Sequence, residues 1–289
     1  MAFNYMHYLS LEICPVERST VVVDYPAQVV VLRKEYPVQA GQEGLFTPSL
    51  EEGQRVKAGE QIGYIQWEQG PKTPVLASHS GVVSYVVDGW EGVLTPEKAE
   101  NTDWLMVLEA LEENSVRGRE DGAPDLSAGR TVAKVVDNLI KPTLFFHAQQ
   151  LPTSLSDEAS CLFLLKEDQD GTQPLQASTG EIIQLADGSS YFFAELDTID
   201  SRMDICRSQH VSIIDQTVSG IKIPLSALQW DERGLSTFVF TCTHSHVEQD
   251  EVQLLYRGED FAIVEGLSLG DQVIANPGRA KEGQRIYTK

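Results

Sequence analysis

The sequence predicts a mostly-β protein of three modules with one helical insertion. Three observations carry this expectation. Short apolar alternations punctuated by glycine recur in two neighbouring segments, residues 38–65 and 75–89. Period-two alternation marks a half-buried strand, and glycine supplies the positive φ of a tight turn. Further β runs with turn residues between them follow through residues 142–216. Both chain ends are rich in β-branched residues, and only residues 95–113 carry a convincing helical pattern.

Taken in order, Thr20-Val21-Val22-Val23 and Val29-Val30-Val31-Leu32 predict two strands, broken at Tyr25-Pro26 because proline lacks a donor. The first glycine-punctuated segment contains Gly41, Gly44, Gly53, Gly59 and Gly63; the second centres on Gly81-Val82-Val83. Between them, Gln66 to Pro74 holds two prolines and a glycine, which leaves room only for a turn. Thr95 is placed to cap the helix, Pro96 suits its first turn, and Glu97 favours its positive end. Trp104, Val107, Leu108 and Leu111 then fall on one helical face. Asn114 to Gly129 reads as a loop, and Arg130 to Asp137 as a strand. Residues 142–216 alternate runs such as Leu144-Phe145-Phe146 with turns at Asp168–Gly171 and Asp187–Ser190, which suggests a small closed barrel. Residues 217–289 are again β-rich.

The two glycine-punctuated segments resemble the halves of a biotinyl/lipoyl-like flattened barrel, a barrel-sandwich hybrid. Three later segments extend the likeness. Ile223-Pro224-Leu225-Ser226-Ala227-Leu228 resembles the IPxxAL segment of the HlyD-like periplasmic adaptors, or membrane fusion proteins. Gly266-Leu267-Ser268-Leu269-Gly270-Asp271-Gln272-Val273-Ile274 resembles their GLxxGDxVI segment, and Glu282-Gly283-Gln284-Arg285-Ile286 their terminal EGxxV. The segments occur in the family's order over nearly the whole chain. The resemblance implies a lipoyl-like module over residues 36–141, with Arg130 to Asp137 as the closing strand of its second half and an insertion over about 90–129. It implies a β-barrel over residues 142–216 and a membrane-proximal-like β domain built from residues 1–35 plus 217–289. It implies structural roles for Gly44, Gly53, Gly59, Gly81, Pro224, Ala227, Leu228, Gly266, Gly270 and Asp271. In long adaptors an α-helical hairpin is inserted between the two half-motifs and engages an outer-membrane duct. The turn at Gln66–Pro74 has no room for one, so the likeness is to a short, Gram-positive-like variant.

The 289 residues carry a formal net charge of −21, with 42% hydrophobic residues. A surface this acidic repels phosphate backbones, which excludes nucleic acid as a natural partner and argues against unaided binding to anionic lipid. Cys14, Cys161, Cys206 and Cys242 are too scattered for a disulfide framework or a CxxC site. No stretch approaches the roughly 18 apolar residues of a spanning helix. Met1 to Tyr8 has neither a basic nor a long apolar region, so no signal peptide is expected there. The family usually carries an N-terminal anchor, so either the start is incomplete or the chain is not anchored through itself.

Candidate chemistry is sparse. Lys72 lies in the turn where biotinyl and lipoyl domains present a modified lysine, but its Gly-Pro and Thr-Pro flanks match neither context, and an ordinary turn lysine is the plainer reading. Cys242, His244 and His246 at i, i+2 and i+4 would share one strand face and offer soft donors to zinc or copper; the alternative is an exposed hairpin loop. Asp168–Gly171 lacks the residues of a calcium loop and reads as an acidic turn, and His79 has no nucleophile nearby. Trp90 and Trp104 bracket the insertion and suit core packing or a docking face. No motif of nucleophilic, metal-assisted or dinucleotide chemistry occurs. The expectation is therefore a non-enzymatic, cofactor-free adaptor-like subunit of an envelope transport or efflux assembly. It would sit outside the cytoplasm at the membrane, bind an ABC- or RND-type transporter or another envelope complex, and pack against its own copies. A cell-division or envelope scaffold and a metal-binding or carrier protein are the alternatives.

Overall fold

The computed structural model describes residues 11–116, 128–166, 168, 172–231 and 233–286. The chain divides into two compact units, 1–23 with 216–289 and 24–215. Strands β1 (Ile13–Pro15) and β2 (Glu17–Leu32) open the chain. β2 is one continuous strand where two were expected. The strand runs on through Pro26, and its pairing with β10 begins at Gln28.

The first module of the 24–215 unit is the predicted hybrid. It contains β3 (Glu35–Gln39), β4 (Leu45–Pro48), β5 (Arg55–Val56), β6 (Gln61–Gln66), β7 (Thr73–Leu76) and β8 (Gly81–Ser84). A two-turn 3₁₀ helix, Pro96–Asn101, and helix α1 (Trp104–Val116) lie in the insertion, and β9 (Thr131–Val136) returns to the module. Strands β3-β9-β8-β5 make one sheet and β4-β6-β7 the other. Val38, Val56, Ile62, Ile65, Val75, Val83 and Val135 fill the space inside. The helix was expected as a single element over 95–113. Thr95 offers no side-chain cap, and the tighter 3₁₀ turn comes first. The expected loop from Asn114 to Gly129 falls mostly outside the described residues, as does the Asp168–Gly171 turn apart from Asp168.

The second module of this unit contains β10 (Thr143–Ala148), β11 (Ser160–Leu165), β12 (Leu175–Gln184), β13 (Ser190–Leu196) and the first part of β14 (Ser208–Pro224). Its order is β14-β11-β12-β13-β10-β2, and β14 also pairs with β2, which closes a six-stranded barrel. Val29, Val31, Leu144, Phe146, Phe163 and Phe192 point inward. Residues 24–32 thus belong here. The expected assignment of all of 1–35 to the C-terminal module is corrected by the pairing of Gln28–Leu32 with β10.

In the other unit, β15 (Gln229–Trp230), β16 (Thr237–Thr243), β17 (His246–Arg257), β18 (Phe261–Glu265) and β19 (Gln272–Ile274) assemble with β1 and the end of β14. Val16, Ile223, Val239, Val264 and Val273 form its core.

One turn recurs in both units and is written in the sequence. In Glu51–Gln54, Lys57–Glu60, Ser268–Asp271 and Lys281–Gln284 the third residue is a glycine, with φ of 79°, 82°, 99° and 75°. The fourth residue's side chain accepts a bond from the first residue's N–H, at 3.2, 2.9, 2.8 and 3.0 Å. The positive φ favours glycine, and the acid or amide satisfies a donor that the turn exposes.

Candidate functional site

The residues singled out from sequence scatter. Lys72 is exposed on the loop between β6 and β7, its ammonium 4.0 Å from the centre of the Tyr64 ring. Cys242 lies on β16, but His244 and Ser245, with φ of 49° and 65°, form the two-residue turn of a hairpin, and His246 begins β17. Two successive positive φ values are the mark of a type I′ turn. The single strand face that motivated a metal site therefore does not exist. Among the described residues, these three donors do not come together at ligating distance.

The residues of the family segments take backbone and packing positions. A Cβ on Gly44 would stand 2.6 Å from the Gln66 carbonyl oxygen, and one on Gly81 2.2 Å from that of Val136. Gly53, Gly59, Gly270 and Asp271 belong to the recurring turn, and Gly266 has φ of 115°. Pro224 ends β14, followed by buried Ala227 and Leu228.

What the structure gathers instead is a buried ionic cluster that sequence reasoning missed. Arg33 follows β2, Glu35 opens β3, and Lys134 is on β9. Asp88 and Glu91 follow β8, and Arg207 precedes β14. Arg33 Nε donates to Glu35 Oε1 at 2.9 Å, and its other nitrogens reach the carbonyls of Met203 and Ile205. Arg207 donates to Glu35 Oε2, and through Nε to Asp88 Oδ2 at 2.7 Å. Lys134 Nζ, fully buried, stands 3.0 Å from Glu35, 3.6 Å from Asp88 and 3.8 Å from Glu91. Its contact with Glu35 is an ion pair without hydrogen-bond alignment.

The electrostatics follow from burial. Desolvation pushes the Glu35 carboxyl up, but Arg33, Arg207 and Lys134 together outweigh it and hold the group below its ordinary value. Asp88 is likewise raised by burial and lowered further by Arg207 and Lys134. Glu91 goes the other way: burial and the neighbouring Asp88 charge raise it, despite the N–H groups of Asp88 and Gly89 that it accepts. Burial opposes the Arg207 charge, and Glu35 with Asp88 more than restores it.

Carboxylate oxygens of Glu35, Asp88 and Glu91 approach within 4.8 Å of one another, a spacing that suits a divalent cation. The Lys134 ammonium already fills that role. Three cations and three carboxyls leave no excess negative charge to draw an ion in. The cluster ties β3 and β9 of the hybrid to Asp88 and Glu91 after β8 and to Arg207 before β14.

Residues 35–137 match the family described as RND related, barrel-sandwich hybrid domain. This segment is such a domain. The likeness to the membrane fusion proteins seen in the sequence is borne out over it, and so is the mostly-β class. Among solved structures, the chain is similar to MacA from Actinobacillus actinomycetemcomitans at 13% identity, covering 91% of this chain and 98% of that one, with a TM-score of 0.35. It is similar to ZneB from Cupriavidus metallidurans at 16% identity, covering 92% of each chain, with a TM-score of 0.28. The membrane fusion protein Spr0693 from Streptococcus pneumoniae R6 matches 67% of this chain and all of its own length at 10% identity and a TM-score of 0.28. Scores this low fix neither fold nor function. No curated protein matches the chain.

Proposed function

We propose that this protein is a non-enzymatic adaptor subunit of an envelope transport assembly, holding an ABC- or RND-type membrane transporter through β surfaces. The observation that carries the reading is the barrel-sandwich hybrid at residues 35–137, of the RND-related kind. The absence of catalytic motifs from the sequence agrees with it. The tight loop between β6 and β7 leaves no room there for a duct-engaging hairpin, so the adaptor would work beside its transporter without reaching a duct that way. No described helix is long and apolar enough to cross a membrane.

The test is recovery of partners from the native host. The chain, tagged at its C-terminus, is purified in detergent and its companions are identified by mass spectrometry. Stoichiometric recovery of a permease is the expected result. Recovery of division or wall-synthesis proteins without a permease would sink transport and leave a scaffold built on an adaptor fold.

A further inference from the structure

The insertion after β8 leaves the hybrid and returns to it, yet its buried apolar side chains pack on the barrel. Its residues Leu94, Ala99, Trp104, Val107, Leu108 and Leu111 are buried against Val30, Leu32 and Phe145, which belong to β2 and β10 of the barrel. Trp104 stacks on Phe145 at 4.5 Å and meets Phe193 of β13 edge-on at 5.5 Å. Its indole donates to the Ala99 carbonyl at 2.8 Å, which ties the 3₁₀ turn to the helix. The insertion is a strap from one module laid across the outer wall of the other.

At the root of this strap sit Asp88 and Glu91, the two carboxyls that reach into the ionic cluster. There Arg207, from the barrel side, bonds Asp88 and Glu35 of the hybrid. Arg33 bonds Glu35 and the carbonyls of Met203 and Ile205. Ile205 in turn packs within 3.6 Å of the place a Cβ on Gly53 would occupy.

The covalent links between the two modules are only Arg33-Lys34 and residues 137–142. Two peptide links alone would act as a hinge. Here any rotation would peel aromatic side chains from the barrel wall into water and pull Arg207 from two carboxylates that stay buried. Both costs arise together, because the strap and the cluster share the segment 88–91.

We propose that the strap and the ionic cluster lock the barrel-sandwich hybrid and the six-stranded barrel into one rigid body, so that the joint between them does not flex. This inference does not depend on which partner the protein holds.

The test uses the full chain with Cys14, Cys206 and Cys242 changed to serine. Nitroxide labels are placed through Ser78→Cys on the hybrid and Glu181→Cys on the barrel, both exposed positions. The expected pulsed electron-resonance result is a single narrow distance distribution. A broad or two-peaked distribution in this parent would overturn the proposal. Trp104→Ala and Arg207→Gln, each checked for retained β structure by circular dichroism, are expected to broaden the distribution at least two-fold. If both variants fold and the width does not change, the strap and cluster are not what holds the joint, and the proposal fails. If neither folds, the milder Trp104→Phe and Arg207→Lys give the same decision.

Discussion

Arg202 and Arg207 belong to one short segment of the barrel and show how little bond geometry says about energy. Arg202 grips Asp200 through two bonds of 2.9 Å and reaches Asp168 at 2.9 Å and the Gln173 carbonyl at 3.2 Å. Arg207 makes a comparable set to Glu35, Asp88 and the Val31 carbonyl. The difference lies in the water. The Arg202 side chain keeps 26% of its exposure and that of Arg207 1%. Bulk water screens the first pair and stands ready to replace either partner. It is kept from Arg207 and Glu35 and touches Asp88 only in part, so each charge there depends on the others.

Substitutions can break this comparison. The largest effect is expected from Arg207→Ala, which strands Glu35 and Asp88 in the interior and should cost about 3–5 kcal/mol by urea unfolding. Glu35→Gln comes next at about 3 kcal/mol, because three cations then face fewer negative charges. A loss below about 1 kcal/mol for either would mean that water enters the cluster.

Acid provides the third test, and its sign is set by the shifts. Glu35 and Asp88 are held below their ordinary values of 4.5 and 3.8. Their stabilisation is complete above those values and drains away as pH falls through the lower folded ones. Glu91, raised above 4.5, works in the opposite sense and costs stability as it ionises at higher pH. Urea midpoints should therefore fall on acidification below about pH 4.5, and the fall should be shallower in Glu35→Gln. An equal slope in the two proteins would show that other carboxyls set the acid limit.

Smaller effects separate the members further. Glu91→Gln should cost about 1 kcal/mol, since it loses one acceptor for two N–H groups yet removes a carboxyl that burial disfavours. Arg202→Ala should cost about 0–1 kcal/mol, and the difference should shrink in 1 M salt as screening shortens to about 3 Å. A salt-insensitive loss of several kcal/mol would mean that Arg202 is as dry as Arg207.

Much of the local structure was legible. The turns at Glu51–Gln54, Lys57–Glu60, Ser268–Asp271 and Lys281–Gln284 follow from glycine followed by an acid or amide, a pattern confined to four residues. The loop at Gln66–Pro74 was equally clear, whereas the return of the strand at Thr131 to the hybrid came from the resemblance and not from its own residues. The Cys242, His244 and His246 arrangement misled because i, i+2, i+4 spacing assumes an uninterrupted strand, and His-Ser is not the glycine-bearing pair that announces a type I′ turn. A trace of the ionic cluster was visible in Ala133-Lys134-Val135-Val136, where a lysine interrupts an apolar run. Nothing local named its partners, since Glu35, Asp88 and Arg207 are far from it along the chain.

The sequence by itself determined the β class, the paired half-motifs, the recurring turns and the insertion, because each is a pattern of neighbouring residues acting through backbone geometry. Only the tertiary structure decided what covers Val30 and Leu32 of the apolar run Val29-Val30-Val31-Leu32. The run itself signals burial on both faces; α1 covers the outer one, and no local signal says where a helix will land. The same holds for the charges. Whether Arg207 or Arg202 becomes indispensable depends on which residues exclude water around it, and that is a property of distant segments brought together by folding.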